Sequence, residues 1–372
     1  MEFSDNIYKG PITESQHKVP RKYLRAWENE DGKVFTIRKS GDCFPSAVEK
    51  IEASNYFYEF QYLNVHEASV LIDWARKLLP KSLCDIQLQA SLGSALLYHF
   101  MVGKLEAHAD WTEYIQMLRG KGVFEPGFIE ALSCVCLSRK LNVPLPHGVE
   151  CEKWRKIVKN GWEPLLVAIE NNGWTGLDLV LSGDVESINR DITIKMHLLK
   201  YMVFQMCRGD RFMRLMNVPL GHLSGESMAR IGSYMRALLP ICILGNLEEE
   251  INSGKFVLLR NGSKSFITGD CPVVNLDGRD PPTSLLLFFP VSPELALLFI
   301  PSNADEEYYK KFLDLDDDRV NQLNTMLCGV CVEQVHANDA IILADGGYRP
   351  LGENCGERVG VNFASHEKFC GV

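Results

Sequence analysis

The chain has 372 residues, of which 46% are hydrophobic, and a formal net charge of -9 at pH 7. This length allows a sizeable core, in two domains or in one large domain with an appended lobe. The acidic balance excludes the global positive field that concentrates many proteins on nucleic acid, so any such contact has to be local. The twelve cysteines lie scattered in apolar stretches, which favours buried thiols over a disulfide scaffold.

The N-terminal residues 1–16 are predicted to form a flexible leader. They lack the basic start, apolar run and cleavage site of a signal peptide, and no part of the chain reaches ~18 uninterrupted apolar residues. We therefore expect a cytoplasmic protein without a membrane partner.

The segment 17–64 is predicted to contain a short helix and a strand. Pro20 fixes the turn after His17, and the apolar residues that follow have helical spacing. An Asp-Gly-Lys turn then leads into an alternating strand at 34–38. We expect this strand to pair with a sheet formed by the C-terminal part of the chain.

Residues 65–245 have helical periodicity and are predicted to form a helical region. The predicted helices cover 65–79, 83–102, 111–118, 126–141, 152–159, 163–171, 185–216 and 224–244.

The helix predicted at 185–216 has two unlike faces. At 100° per residue, an apolar face gathers Leu198, Leu199, Met202, Val203, Met206 and Met213. The opposite face carries His197, Tyr201, Phe204, Arg208 and Arg211, with Gln205 at its flank. A cleft wall can have such a mixture, but the spacing also fits arginines on the surface and aromatic rings packed on a neighbouring helix.

The region 246–372 changes to the period of β-strands. Asn261-Gly262 predicts a hairpin, because both positions of a two-residue turn need positive φ. Further strands are predicted at 283–290, 294–300 and 340–343, with a helix at 317–336 opened by an acidic run. The fold class predicted is α+β, with a large helical part and a small, mostly antiparallel sheet formed by the N-terminal strand and the C-terminal third.

Three pieces of the chain together resemble the domain of unknown function family 4238. They are QHKVPRKYL at 16–24, FQMCRGDRF at 204–212, and FITGDCPVV at 266–274 with FFPVSPELALL at 288–298. The family helix usually has Thr-Pro after its first arginine, whereas this chain has Gly209-Asp210. The resemblance implies a shared site, and the name of the family states that its chemistry is not generally established.

Three separated segments contribute the candidate catalytic residues, which are His17, Arg208, Arg211 and Asp270. A histidine transfers protons near pH 7, and paired arginines bind phosphate or carboxylate. Asp270 could orient the histidine or act as a second acid or base. The candidate substrate-binding residues are Gln205, Tyr201 and His197.

Each of these residues also has a structural interpretation. His17 could cap the helix that follows it, and Asp270 could bind backbone amides in its Gly-Asp-Cys-Pro turn. Arg211 and Asp270 could form an ion pair that joins helix to sheet without any catalysis.

The signals for a metal or a cofactor are weak. Cys328 and Cys331 form a CxxC, but they lie within an apolar helical pattern, so buried thiols are favoured over zinc ligands. The acidic run 314–318 is better explained as a solvated helix start than as a cation site. The chain has no phosphate-binding glycine loop, no GxSxG and no HExxH, so we predict no cofactor and no metal.

The function predicted is hydrolysis of a phosphate-bearing substrate, such as RNA, DNA or a nucleotide, by a nuclease-like enzyme. A toxic effector of bacterial defence is the biological setting that we expect from the scattered occurrence of the family. The alternative is a binding or sensor module, in which the same arginines hold an anionic ligand or a protein partner without chemistry. The oligomeric state does not follow from the sequence.

Overall fold

The computed structural model describes residues 12–51, 53–55, 57–78, 111–122, 156, 158–208, 225–245, 252–277 and 284–350. Contacts divide the chain into two compact units. Unit 1 comprises residues 1–16, 55–165 and 220–242, and unit 2 comprises 17–54, 166–219 and 243–372. The helices predicted at 83–102 and 126–141, and most of the leader, lie outside the described residues.

The architecture is α+β, as predicted. The described α-helices are α1 (Arg21–Leu24), α2 (Val65–Leu78), α3 (Trp111–Lys121), α4 (Glu163–Ser182), α5 (Val185–Arg190), α6 (Ile192–Arg208), α7 (Gly225–Gly245), α8 (Glu306–Lys310), α9 (Asp317–Cys328) and α10 (Ala340–Asp345). The described strands are β1 (Ser15–His17), β2 (Val34–Arg38), β3 (Cys43–Ser46), β4 (Ala53–Asn55), β5 (Lys255–Arg260), β6 (Thr268–Gly269), β7 (Val274–Asn275), β8 (Leu287–Pro290), β9 (Leu295–Ile300) and β10 (Gln334–Ala337). Two 3-10 turns are Arg25–Trp27 and Val48–Lys50.

The described residues of unit 1 are mostly helical and pack around aromatic side chains. Phe60 stacks on Tyr234 of α7, with 5.2 Å between ring centroids, and meets Trp162 edge-on at 5.0 Å. A capping box opens α2, because Asn64 and Glu67 each accept a hydrogen bond from the other's backbone amide at 2.9 Å. The buried Glu67 also pairs with Arg230 of α7, which joins the two helices.

Unit 2 contains two four-stranded antiparallel sheets. The first has the strand order β3-β2-β10-β6 and so combines N-terminal strands with the C-terminal third, which confirms the sequence prediction. The second has the order β5-β9-β8-β7. Every residue of β8 and β9 is buried, as in strands that are covered on both faces.

Tyr23 of α1 connects the two sheets of unit 2. Its hydroxyl lies 2.6 Å from Oγ1 of Thr268 in β6 and donates to the carbonyl of Pro290 in β8 at 2.7 Å. Its ring stacks on Phe289 at 5.1 Å. Burial raises the pKa of the Tyr23 hydroxyl, so it stays a neutral donor. These contacts fix α1, and with it the residues around His17, against the sheet core.

The helix predicted at 185–216 is interrupted at Asp191. The carboxylate of Asp191 accepts hydrogen bonds from the amides of Thr193 and Ile194, at 2.8 and 3.2 Å, and so caps a new helix. The structure therefore has α5 and α6 in place of one helix, and residues beyond 208 in the predicted range lie outside the described part. Both faces of α6 are buried from Leu198 to Arg208 apart from Lys200, so neither is a solvated surface.

The hairpin predicted at Asn261-Gly262 is wrong. Strand β5 pairs with β9, whereas β6 pairs with β10 in the other sheet. The Asn261 side chain donates to the carbonyls of Lys264 and Pro293, at 2.8 and 3.1 Å, which holds the chain against the β8–β9 turn instead of reversing it. Gly262 does not have the positive φ that the predicted turn requires.

The predictions for 317–336 and 340–343 are also corrected. Helix α9 ends at Cys328 with Gly329 as its cap residue, and residues 334–337 form β10. Residues 340–345 form α10, because the carboxylate of Asp339 accepts the amide hydrogen of Ile341 at 2.9 Å and starts a helix.

Helix α4 runs to Ser182, past the end predicted at residue 171. Gly173 lies within this helix and faces α6 at close range, where a Cβ would lie 2.8 Å from Cβ of Tyr201. The glycine permits the close approach of α4 and α6 that the site described below requires.

Candidate functional site

The His17 ring lies at the end of β1, half-buried, between a backbone carbonyl and an arginine. Its Nδ1 donates to the carbonyl of Ile51 at 3.2 Å, and its Nε2 accepts a hydrogen bond of 2.7 Å from Nε of Arg21. These partners assign the proton to Nδ1 and the lone pair to Nε2. We call His17, Arg21 and the Ile51 carbonyl the histidine edge.

The environment of His17 favours its neutral form. Burial lowers the pKa of the imidazole below its ordinary value of 6.5, and the guanidinium of Arg21 lowers it further. The positive charge of Arg208 acts in the same direction, whereas the Ile51 carbonyl and the carboxylate of Glu49 raise the pKa. The net result is a ring that is neutral near pH 7.

Arg208 lies behind the histidine edge, at the C-terminal end of α6. Its side chain is only 2% exposed, and Nη1 donates to the carboxylate of Glu170 in α4 at 2.7 Å. Nη2 donates to the backbone carbonyl of His17 at 3.4 Å. We call Arg208 and Glu170 the buried pair; it joins α4, α6 and the start of unit 2.

Tyr201 and Gln205 lie two turns and one turn before the end of α6, inside the protein. The Tyr201 ring packs against Trp174 and Phe289, with centroids 5.4 and 5.9 Å apart. The hydroxyl of Tyr201 and Oε1 of Gln205 are buried and have no hydrogen-bond partner among the described residues. Burial raises the pKa of Tyr201 well above 10.0. His197, one turn earlier, is half-buried.

The Asp270 carboxylate, 8% exposed, is occupied by backbone amides. It accepts hydrogen bonds from the amides of Val332, at 3.1 and 3.2 Å to its two oxygens, and of Glu333 at 2.7 Å. The preceding Gly269 has no room for a side chain, because a Cβ would lie 2.4 Å from Sγ of Cys331. Asp270 thus binds amides of the turn between α9 and β10. The structural interpretation had proposed amides of its own Gly-Asp-Cys-Pro turn.

The structure brings together part of the predicted catalytic set. His17 and Arg208 are in contact through the backbone of His17. Among the described residues, no hydrogen bond or ion pair joins the Asp270 carboxylate to either of them. Arg211 lies outside the described residues, so its pairing with Asp270 stays a prediction.

Cys328 and Cys331 are buried thiols. Burial raises the pKa of Cys328 to about 12 and raises that of Cys331 well above 9.0, so both are protonated at neutral pH. In the acidic run, Asp316 caps α9 and Asp317 binds Ser263, as expected for a helix start. The part of the chain that the structure describes holds no group of three or more potential metal ligands.

Arg21, Glu170 and Ile51 contribute to the site and were not predicted from the sequence. Arg21 follows His17 by four positions, just after the turn that Pro20 fixes, and this nearness in sequence could have identified it. Glu170 gave no signal, because its partner Arg208 lies 38 positions away in another helix. The Ile51 contact uses a backbone carbonyl, which carries no signature in a sequence.

The site is therefore a neutral histidine beside two arginines, one exposed and one buried, on an α+β scaffold. Residues 15–340 match the model of the protein family of unknown function DUF4238. The match spans most of the chain, and the protein belongs to this family, as the three sequence pieces indicated. No curated protein and no solved structure matches the chain.

Within the described ranges, we find no helix with the length and apolar character that crossing a bilayer demands.

Proposed function

We propose that the protein is a hydrolase of a phosphate-bearing substrate, with His17 as its general base. The observation that carries the proposal is the Ile51 contact, which holds the proton on Nδ1 and leaves the Nε2 lone pair on the side of the exposed Arg21. Catalytic histidines commonly have their tautomer fixed in this way. The lowered pKa keeps the ring in its basic form at neutral pH.

The reaction would use the exposed Arg21 as its source of positive charge. The oxygen of a water molecule adds to phosphorus, Nε2 of His17 takes the water proton, and one P–O bond breaks. The protonated ring then returns that proton to the leaving oxygen. Arg21 is exposed and can bind phosphate oxygens through two N–H groups, whereas the buried Arg208 supports the His17 backbone.

Asp270 has a structural role in this proposal. Its two oxygens already bind the amides of Val332 and Glu333. Arg211 stays a predicted second phosphate ligand, and Tyr201 and Gln205 support α6 from within the protein.

A second function, binding of an anionic ligand without turnover, is favoured by one observation. The exposed Arg21 uses only its Nε donor on a described residue, so its other N–H groups can bind an anion without any proton transfer at the ring. A sensor module needs only such a charge.

Incubation of the purified protein with labelled RNA, DNA and nucleotides tests both functions. For a hydrolase, we expect turnover that falls by about 100-fold or more in His17→Gln, because general base catalysis contributes factors of this size. The matched control His66→Gln changes a histidine of unit 1 and should retain activity. Binding of these anions without any turnover would instead establish the sensor module.

The predicted setting, a toxic effector of bacterial defence, is a separate proposal. It requires that induced expression of the wild type arrests bacterial growth and that expression of His17→Gln does not. Growth arrest by both proteins would contradict it.

A further inference from the structure

We propose that Arg21 and His17 form an oxyanion-responsive pair, in which a bound phosphate group takes the Arg21 guanidinium from His17 and releases the Nε2 lone pair. The role of the released lone pair in catalysis rests on the proposed function. The exchange itself is a binding event and can be measured without any substrate turnover.

The geometry of the free protein blocks the base. The 2.7 Å hydrogen bond from Nε of Arg21 occupies the only lone pair of the His17 ring, since Nδ1 carries the proton that binds Ile51. A ring held in this way cannot accept a proton from water until the contact with Arg21 opens. A general base at His17 therefore requires a mechanism that moves Arg21.

Arg21 is suited to leave this contact for an anion. It is exposed and lies on the first turn of α1, whose position is fixed by the neighbouring Tyr23. A guanidinium has five N–H donors, and the described residues accept a hydrogen bond from only the Nε donor of Arg21. Paired, charge-assisted hydrogen bonds to phosphate are stronger than one hydrogen bond to a neutral ring, so the anion is the preferred partner.

The charges around His17 determine how the exchange changes the pKa of its ring. Burial, Arg21 of α1 and Arg208 of α6 lower the pKa of His17, whereas the Ile51 carbonyl and Glu49 of the Val48–Lys50 turn raise it. Moving Arg21 away and placing a dianion nearby both favour the protonated ring. Anion binding and proton uptake at His17 are therefore coupled, and by linkage each promotes the other.

Arg25 provides a matched control on the same surface. It is exposed, has the same charge as Arg21, and follows it by four positions in the 3-10 turn after α1. His17 and Arg25 are not joined by a hydrogen bond within the described part of the chain. Arg25→Gln thus removes an equal charge from the surface without opening the contact with His17.

The experiment is a titration of the His17 ring by NMR between about pH 4 and 8, within which a histidine ionises. The probe is sodium sulfate, which stays a dianion across this range, and the reference is sodium chloride at equal ionic strength. Wild type, Arg21→Gln and Arg25→Gln are compared, with thermal melts to verify that each is folded. His17→Gln assigns the resonance.

We expect sulfate to raise the pKa of His17 in the wild type and in Arg25→Gln. In Arg21→Gln, the pKa should be raised without sulfate, the response to sulfate should be lost, and sulfate affinity should fall about tenfold, as for loss of a charged hydrogen bond. An unchanged pKa in wild type with sulfate, or an equal response in Arg21→Gln, would overturn the proposed exchange.

The outcomes separate this exchange from the proposed hydrolase. A sulfate response that depends on Arg21, without turnover of any nucleic acid or nucleotide, supports the exchange and refutes the hydrolase. Turnover that depends on His17, with a ring indifferent to sulfate, supports the hydrolase and refutes the exchange.

Discussion

The histidine edge and the interior behind it contain similar polar residues in opposite environments. At the edge, His17 is half-buried and its neighbour Arg21 is exposed. In the interior, Arg208 is 2% exposed and paired with Glu170, and Asp270 is 8% exposed and bound to backbone amides. The edge can meet a ligand from solvent, whereas the interior residues are already committed to partners within the protein.

The comparison separates two reasons for which a family can share polar residues. A buried charge requires a partner, because an unpaired buried charge lowers the free energy of unfolding. Such a pair can be shared in a family for stability alone. A half-exposed histidine with a lowered pKa contributes little to packing and is better explained by chemistry. Substitutions in the interior should therefore change stability, and substitutions at the edge should change titration and activity.

Removing Glu170 should have the largest effect on stability. Glu170→Ala leaves the charge of the buried Arg208 without its carboxylate, and we expect the free energy of unfolding to fall by about 3 kcal/mol in urea denaturation. The matched control is Glu186→Ala, which breaks the exposed pair with Arg190 and should leave stability unchanged. Equal effects of the two substitutions would show that Arg208 does not depend on Glu170.

Removing Asp270 should have a smaller effect. Asp270→Ala leaves the amides of Val332 and Glu333 without their acceptor, and we expect a loss of about 2 kcal/mol by the same measurement. Asp339→Ala, which removes an exposed helix cap, serves as a control and should cost about 1 kcal/mol. If Asp270→Ala instead abolishes turnover at unchanged stability, Asp270 belongs to the catalytic residues as first predicted.

The smallest expected effect is the contribution of His17, in the histidine edge, to the pH dependence of stability. Because the pKa of His17 is lower in the folded protein than its ordinary 6.5, the unfolded chain binds more protons between these two values. The contribution of His17 to stability is therefore complete above pH 6.5 and is lost as the pH falls towards the folded pKa. Urea denaturation of wild type and His17→Gln across this range measures it.

A shallower slope in His17→Gln than in the wild type is the expected result. Identical slopes would contradict the lowered pKa and, with it, the assignment of His17 as a base at neutral pH.

The sequence predicted secondary structure correctly where neighbouring residues determine it. Strand β2 has the predicted bounds, since alternating residues follow a turn, and α2 matches its predicted range within one residue. The sequence-based prediction was wrong where the hydrogen bonds of a single side chain change the course of the backbone. Asp191 divides the helix predicted at 185–216 and Asn261 prevents the hairpin predicted at 261–262, and in both cases a hydrogen bond outweighs the periodicity of the segment.

The candidate site was predictable in its residues but not in their environments. The prediction named His17, Arg208 and Asp270 as equals, because residue type alone carries no record of burial. Long-range packing against α4 and the sheets separates the exposed residues from the occupied ones.

The pairing of β2 with β10 has a consequence for how the chain acquires its native state. The side chains of Thr36 and His336, which form a hydrogen bond across these strands, are 300 positions apart. The hydroxyl of Tyr23 donates to the carbonyl of Pro290, 267 positions away. Ordering a segment through such distant partners carries a large loop-closure entropy and slows folding. On a ribosome, α1 must wait for strands β6 and β8, whose contacts with Tyr23 lie 245 and 267 positions further along the chain. Any activity at His17 therefore arises only after these distant strands have emerged.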